Sequence, residues 1–414
     1  TTGYASGCFP TFATCGAEKP TSPPGPLGFS TLSGNPKTFR AVEVDQSGAR
    51  NYIMQWNLDI QRQITPSLSA SIGYVGSHGV HQPFRTDGLE QVIPITVDGL
   101  LVYPDAANGG TKFNNNFGNI RALFWMGESN YDALAVQVDK RMGHGVQISG
   151  AFTWSKSLDT SSSTQEGDGL YNSISSENWL PSLKALNYGP SDFNIPRNFS
   201  MNALWMIPDM KTSNAFAKIV TNGWQLNYIL KINDGPPFTV TWGTGGDPSG
   251  ILSNDDWSYP NRLTSNGCNT ITNPGNIQHY VKTECFQVPQ APSMAFWTAN
   301  CVNTGNPLQA YPNCFNVRGN AGRNIGYGPG LVNLDFSVFK NNYIPRISEQ
   351  FNAQFRADFF NILNRPNFLP PGVGIGTAIP VDAFDSSGNP TNPGALLGTA
   401  TPARQIQFAL KLIF

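Results

Sequence analysis

The side chains best suited to chemistry are four histidines and six cysteines, and their spacing argues against a catalytic or metal centre. His78 and His81 form an H-x-x-H pair, a spacing that can hold a metal on a helix. Gly79 disfavours a helix there, and no third ligand is near in sequence. His144 falls in a predicted tight turn, where a solvated ring is the simpler interpretation. No G-x-S-x-G motif supplies a serine nucleophile. We therefore expect no enzyme, no cofactor and no metal site.

The cysteines fit disulfides better than metal ligation. Their number is even, several gaps are short, and no C-x-x-C pair occurs, which is typical of an oxidising compartment. All six lie in long connections or in residues 1–50. The four cysteines within 234–330 allow three arrangements. The simplest pairing joins sequence neighbours: Cys8–Cys15, Cys268–Cys285 and Cys301–Cys314.

Three aspartates and two glycine runs also have simpler structural interpretations. Asp247, Asp255 and Asp256 would suit calcium, but a solvated polar loop is the more common arrangement. The glycine runs at 326–330 and 372–376 do not join a strand to a helix, which disfavours a phosphate-binding loop. We expect loop or strand-entry segments at both places.

Composition limits the functional classes further. Charged residues make up 13% of the 414 residues, and the net charge is −1, so no basic surface is available for nucleic acid. Glycine (42) and proline (32) are plentiful, as in many strands joined by irregular loops. No apolar run approaches the roughly 18 residues of a transmembrane helix, so a membrane protein would have to cross with strands.

Period-two alternation of apolar and polar residues is the main structural signal. In the last eleven residues, Ile406, Phe408 and Leu410 alternate with Gln407 and Ala409. Nine such segments, each about as long as a tilted strand that crosses a bilayer, are predicted as strands: 55–64, 68–77, 131–141, 146–155, 197–207, 224–233, 331–340, 350–361 and 404–414.

The connections between these segments alternate in length. Short ones lie at 65–67, 143–145, 208–222 and 341–349, and long ones at 78–130, 156–196, 234–330 and 362–404. Short turns on one rim and long loops on the other are typical of outer-membrane barrels. The fold class we predict is therefore all-β, an antiparallel transmembrane β-barrel with long extracellular loops and short periplasmic turns.

Phe414 ends the last alternating strand, and this aromatic end resembles the signal read by the bacterial barrel-assembly machinery. If that strand ends in the periplasm, every long connection becomes extracellular. Residues 1–50 are then an extracellular segment and 51–414 the C-terminal portion of a barrel. Nine strands is an odd number, whereas bacterial single-chain barrels use even numbers. We therefore expect further strands before residue 1.

Polar residues on the inward face of two predicted strands are the candidate lumen-facing positions. They are Asn333, Asp335, Gln354, Arg356 and Asp358. One interpretation is that they wet the interior and pair with one another, and the other is that they grip a plug or line a substrate path. Aromatic residues near strand ends suit interfacial girdles: Tyr52, Trp56, Tyr131, Trp154, Trp205 and Trp224.

Several stretches from about residue 50 onward resemble one family, the TonB-dependent transporter-like barrels of the Oar-like, acidobacterial kind. These stretches are 55–62 (QWNLDIQR), 129–134 (SNYDAL), 152–159 (FTWSKSLD), 355–368 (FRADFFNILNRPNF) and the terminal strand. The resemblance implies a sandwich domain, a plug domain and a barrel of ~22 strands. This chain would supply about the last nine strands, and it shows neither plug nor TonB box.

The resemblance implies uptake of a large nutrient across the outer membrane of a Gram-negative cell. The implied partners are outer-membrane lipid, the barrel-assembly machinery, the absent plug and strands, TonB and an unidentified extracellular ligand. Two alternatives stay open: a surface adhesion or display barrel, and a secreted soluble all-β binding protein. The soluble alternative predicts a dry core that contains Phe351, Phe355, Phe408 and Leu412, whereas the barrel predicts lipid contact for them.

Overall fold

The computed structural model describes most of the chain from residue 40 onward. The described residues are 40–46, 49–86, 92–97, 99–104, 119–162, 187–242, 259–264, 267–289, 315–344, 348, 351–371, 381–384, 391 and 394–414. None of the described helices is long and apolar enough to cross a membrane. Asp247, Asp255, Asp256, the 372–376 glycine run and four of the predicted disulfide cysteines lie outside these ranges: Cys8, Cys15, Cys301 and Cys314.

Strands dominate the described residues. They are β1 (Arg40–Val44), β2 (Tyr52–Thr65), β3 (Leu68–Thr86), β4 (Ile95–Val97), β5 (Leu100–Pro104), β6 (Asn119–Gly143), β7 (Val146–Asp159), β8 (Gly189–Pro190), β9 (Arg197–Met206), β10 (Trp224–Asn233), β11 (Pro237–Phe238), β12 (Val240–Trp242), β13 (Asn261–Arg262), β14 (Phe286–Gln287), β15 (Phe315–Val317), β16 (Gly326–Tyr327), β17 (Leu331–Tyr343), β18 (Asn352–Phe360), β19 (Val381–Phe384) and β20 (Gln405–Ile413). One α-helix, α1 (Ala215–Thr221), and a 3-10 helix at Thr283–Cys285 complete the set.

One large sheet organises the molecule. Its path is β2-β3-β6-β7-β9-β10-β17-β18-β20, antiparallel at every step, and each of the nine predicted segments overlaps one of these strands, with ends that differ by up to two residues for 197–207, 350–361 and 404–414. β1 pairs with β6 in parallel, so part of the segment predicted as a loop over 1–50 forms a strand. β2 and β20 end the path, and they do not pair with each other in the described part of the chain.

The strand register places the predicted apolar positions on one common face. A complete row across six neighbouring strands reads Val146, Trp205, Leu226, Val338, Ala357 and Phe408. The adjacent row on the opposite face reads Gln147, Leu204, Asn227, Ser337, Asp358 and Gln407. Side chains of a strand alternate between faces, so these rows extend into an apolar face and a polar face of the whole sheet.

Two of the predicted short connections are two-residue turns, at 66–67 and 144–145. Gly145 in the second turn has φ +76°, and a Cβ atom there would lie 2.5 Å from the carbonyl oxygen of Met206. Gly223 before β10 has the same φ, and its Cβ would lie 2.3 Å from the carbonyl oxygen of Asn341. Both positions require glycine because the backbone is left-handed and a neighbouring strand lies against it.

The connection from β9 to β10 differs from these turns because it contains α1. Asn214 caps the helix, and its side-chain oxygen accepts hydrogen bonds from the backbone N–H groups of Phe216 and Ala217. The indole N–H of Trp224 donates to the carbonyl oxygen of Val220 at 2.8 Å, which fixes the helix against the start of β10. Phe216 is 75% exposed on the free side of the helix.

Two of the long connections form folded structure in their described residues. Described residues of 235–330 and 365–400 form what we call the loop body, which has small two-stranded sheets and a dry core. Phe238, Val240, Val281 and Val381 are among its most deeply buried members. The predicted Cys268–Cys285 disulfide is present and joins two segments of this core. The large extent of this folded structure was not anticipated from the sequence.

Several predicted placements are corrected. His78 was expected in a loop but lies within β3, where its Nδ1 atom is 2.6 Å from Asn130 Oδ1. Phe351 precedes β18 and is only 6% exposed, and its ring lies 5.1 Å from that of Phe414. The other three discriminating residues, Phe355, Phe408 and Leu412, are exposed on the apolar face rather than packed in a core.

Five of the six aromatic residues predicted for the girdles lie on the face that a girdle requires. Tyr52, Trp56, Trp154, Trp205 and Trp224 fall on the apolar face, near strand ends. Tyr131 is opposite Ser157 in the register, which places it on the polar face. This face does not fit a girdle role for Tyr131, because a girdle residue must point to lipid.

Candidate functional site

The five candidate polar residues share the polar face of β17 and β18. Asp358 is buried there, and Ser337 donates its hydroxyl proton to the Asp358 carboxylate at 2.5 Å. Arg356 forms an ion pair with the same carboxylate, with an Nε–O distance of 2.7 Å, and its guanidinium lies 4.8 Å from the centre of the Phe339 ring. The guanidinium of Arg356, the carboxylate of Asp358 and the ring of Phe339 thus lie together on two neighbouring strands.

The remaining candidates continue this polar surface. The Asn333 amide donates to Asp335 at 2.9 Å. Gln354 donates to the side-chain oxygen of Asn341 at 2.8 Å, across the β17–β18 pair. Asp335 also accepts the backbone N–H of Asn361 at 2.9 Å, which fixes the outer end of β18. Most of these polar side chains therefore hydrogen-bond to one another, which agrees with the interpretation that they pair with one another.

Sequence patterning missed two members of this surface. Asn341 accepts from both Gln354 and Asn352, so it links two residues of β18 to β17. It lies just beyond the predicted end of its strand at residue 340, which is why the alternation did not include it. Phe339 is an apolar residue on the polar face. It is opposite Arg356 in the strand register, and this pairing cannot be read from the alternation of either strand.

A buried ion pair fastens the loop body to the outer end of β7. Arg323 donates from Nη2 to the Asp159 carboxylate and to its backbone carbonyl, the latter at 2.8 Å. The side chains of Arg323 and Asp159 are 5% and 4% exposed. Ser162 donates to the second carboxylate oxygen at 2.7 Å. The charge of each partner is therefore compensated in a place that water scarcely reaches.

Asn324 extends this attachment toward the segment before β9. Its side-chain amide donates to the Pro190 carbonyl at 2.8 Å and to Asp192 at 2.6 Å. Its backbone N–H donates to the Thr239 hydroxyl at 3.0 Å. Asn324 has φ +56°, a left-handed conformation that asparagine tolerates better than most residues. One residue thus joins three segments at the outer rim.

A cavity of about 970 Å³ lies beside this attachment. One wall is a row of the sheet at the ends of β9, β10 and β17, formed by Trp154, Arg197, Asp234 and Gly330. Arg197 binds the Asp234 carboxylate with both Nε and Nη2, at 2.8 and 2.9 Å. Trp154 and Arg197 are register partners, and Asp234 donates its backbone N–H to the Arg197 carbonyl, so three strand ends meet in one row.

The opposite wall of the cavity comes from the loop body. Tyr280 donates its hydroxyl proton to the Tyr327 carbonyl at 2.9 Å, and Asn194 donates to the Tyr327 hydroxyl oxygen at 2.8 Å. Burial raises the pKa of Tyr280 to about 12. Burial also raises the pKa of Tyr327, with a smaller contribution from Asp234. Both hydroxyl groups therefore stay protonated near neutral pH, with that of Tyr280 as a donor and that of Tyr327 as an acceptor.

The family model described as "Outer membrane beta barrel domain" matches residues 2–407. The chain belongs to this family. The protein is therefore located in the outer membrane, and the secreted soluble alternative is wrong. Among solved structures, the outer membrane transporter YddB from Escherichia coli is similar at 13% identity with a TM-score of 0.40. The match covers 92% of this chain and 34% of that transporter, about a third of its length. No curated protein matches the chain.

Charged residues bound an uncharged band on the apolar face of β10 and β17. On β10 and β17, that face has Lys340 at the inner end and Asp234 beside Gly330 at the outer end, with uncharged residues between. Ten residues separate Gly330 from Lys340, roughly 33 Å along a strand. A tilt of about 40° reduces this to about 25 Å, the height of the apolar band in such barrels.

The other sequence candidates do not converge on a centre. Within the described ranges, no group of three or more histidine, cysteine or acidic side chains is arranged to hold a metal ion. The glycine run at 326–330 forms β16 and the entry to β17. Phe414 follows β20 and packs against Phe351, while most of its surface stays exposed. Its role as an assembly signal stays a prediction.

Proposed function

We propose that this domain is the C-terminal wall section of a plugged, TonB-dependent, Oar-like transporter that takes up a large nutrient. The observation that carries the proposal is the continuous polar face of nine strands, on which Arg356, Asp358 and Ser337 form a fixed cluster. In a barrel whose apolar face contacts lipid, this face lines the interior.

The open strand order supports a larger barrel of ~22 strands. β2 has a free edge of 14 residues in the described structure, and β20 has a free edge of nine. Unpaired backbone groups in hydrocarbon cost several kcal/mol each, so both edges need partners in the membrane. We propose that further strands of the whole protein supply them, and that its plug contacts the polar face.

The proposal contains no catalytic step and no cofactor. Arg356 and Asp358 on the polar face are paired with each other, which fits a role in contact and support. The partners we propose are the plug, TonB in the periplasm, the barrel-assembly machinery, membrane lipid and an extracellular ligand.

Photo-crosslinking in the full-length protein tests this function. Benzoylphenylalanine replaces Gln354 on the polar face or, as a matched control, Phe355 on the apolar face. We expect position 354 to form an adduct with the plug segment of the same polypeptide, and position 355 to form none. The adduct at 354 should change when the proton-motive force is collapsed, because TonB acts through it. A full-length protein with no plug adduct at 354 contradicts transport.

A surface adhesion or display barrel is the second candidate. The dry core of the loop body and its Cys268–Cys285 disulfide favour it, because a rigid outer surface suits binding of a partner. The same crosslinking separates the two functions. Display predicts no plug contact at position 354 and no response to the proton-motive force.

A further inference from the structure

The cavity beside the outer rim lies on the lipid side of the wall rather than in the interior. Trp154 and Arg197 belong to the apolar face by register, and Asp234 and Gly330 continue the row from β10 and β17. These residues mark the outer edge of the apolar band, so the cavity opens where lipid headgroups lie. A solute that passes through the barrel would not enter this cavity.

The lining of the cavity combines apolar and cationic groups. Its charged residues are two arginines and one aspartate, and the aspartate is already bound by Arg197. Arg365 supplies a second, exposed guanidinium, which suits the oxygens of a phosphate. Trp154, Tyr280 and Tyr327 supply rings with polar ends, which suit a molecule that is apolar at one end and hydrated at the other.

The loop body projects over this position. Ile277, Tyr280 and Leu396 come from segments far along the chain, and they line the cavity together with the residues of the sheet. The volume of about 970 Å³ is at the upper end of the range for ligand sites. A headgroup and the first carbons of its acyl chains fit such a space, with the remaining chain against the apolar face below.

We propose that this cavity binds the phosphorylated headgroup of an outer-leaflet glycolipid, with Arg365 as the main phosphate contact. Continuity with the lipid-facing surface selects this occupant over a soluble ligand. Arg197 and Asp234 form the floor of the cavity. Arg197 donates hydrogen bonds to sugar hydroxyl groups, and Asp234 accepts hydrogen bonds from them. The proposal does not depend on transport, since it concerns the outer surface of the wall.

Native mass spectrometry of the full-length protein in detergent tests the proposal, with purified lipid A as the probe. Lipid A stripped of its phosphates and inorganic phosphate are the two comparison probes. We expect lipid A to bind at least about tenfold more tightly than the dephosphorylated form, because a hydrogen bond to a charged group contributes on that scale. Inorganic phosphate should not displace it.

The variant Arg365→Gln should lose most of the preference for phosphorylated lipid. Its backbone hydrogen bond to the Asn361 side chain is retained, so the local turn stays intact. Arg404→Gln is the matched control, because Arg404 is exposed nearby but does not line the cavity. Equal loss in both variants indicates a diffuse surface charge effect and overturns the proposal. Equal binding of the two lipid forms by the wild-type protein also overturns it, without any variant. Displacement by inorganic phosphate identifies a free-anion site instead.

Discussion

Replacing Arg323 by methionine should detach the loop body from the end of β7. The side chain of Arg323 is 5% exposed and that of Asp159 is 4% exposed, so the variant leaves a carboxylate buried without its cation. Ser162 would still donate to this carboxylate, but a hydroxyl group does not replace a full charge. The change should therefore act on docking of the loop body rather than on the sheet.

The expected cost follows from the burial of both partners. Removing one member of a buried ion pair costs about 3–5 kcal/mol, because the remaining charge stays desolvated. That corresponds to roughly two to nearly four orders of magnitude in the ratio of docked to undocked molecules. The double variant Asp159→Leu with Arg323→Met should recover most of this loss, since two apolar side chains leave no buried charge.

Amide hydrogen exchange of the full-length protein in detergent measures this docking. The backbone N–H of Ala321 donates to the Pro260 carbonyl, and that of Gly319 donates to the Tyr259 carbonyl. Both amide hydrogens should exchange faster in the variant, because loss of the ion pair lets the segment open. Arg197→Met is the control: its ion pair with Asp234 is exposed, so exchange should change little. Acceleration of less than about tenfold, or a double variant as mobile as the single one, refutes the reasoning.

Three further outcomes are expected. Replacing Cys268 and Cys285 together by serine releases a crosslink across 17 residues, which contributes about 3 kcal/mol on the chain-entropy model, and limited proteolysis should show faster cleavage within 267–289. A wild-type protein equally sensitive to the protease would contradict this. The pKa of Tyr280 is raised to about 12, so its contribution to stability is complete below pH 10 and is lost as pH rises toward 12. The difference in tyrosinate absorbance between wild type and Tyr280→Phe measures that titration, and a transition at the ordinary pH of tyrosine would disprove it. Gly223→Ala should cost about 1–3 kcal/mol because the left-handed backbone and the neighbouring carbonyl leave no room for Cβ. On a gel of samples heated in detergent, the folded form of the Gly223→Ala variant should disappear at a lower temperature than that of the control variant Gly150→Ala. At Gly150 the atoms nearest to an added Cβ are 4.0 Å away.

The strands could be predicted because their cause is local. A strand between lipid and a polar interior must alternate, whatever its neighbours are, so positions such as Phe408 and Gln407 reveal their faces in sequence. The boundaries were less accurate where a strand continues beyond the membrane. β3 and β6 extend well past their predicted ends, because outside the lipid the alternation is no longer imposed.

The loop body and the cavity could not be predicted for the opposite reason. Arg323 and Asp159 are 164 residues apart, and nothing in the sequence between them indicates that they meet. The core joins Phe238 and Val281 of one connection to Val381 of another, and each connection appears irregular by itself. Only the Cys268–Cys285 pair could be anticipated, because its two members are close in sequence.

The register irregularities of the sheet have a consequence for how such a chain can change length during evolution. They occur between Gln63 and Thr65, between Lys140 and Gly143, and around His81, each at an end of a hairpin. Deleting one residue inside a strand would move every following side chain, as far as the next turn, to the opposite face of the sheet. Within the strands, insertions and deletions of two residues are therefore tolerated, because they keep each side chain on its face. A single inserted or deleted residue is tolerated at the strand ends, where a bulge restores the alternation of faces.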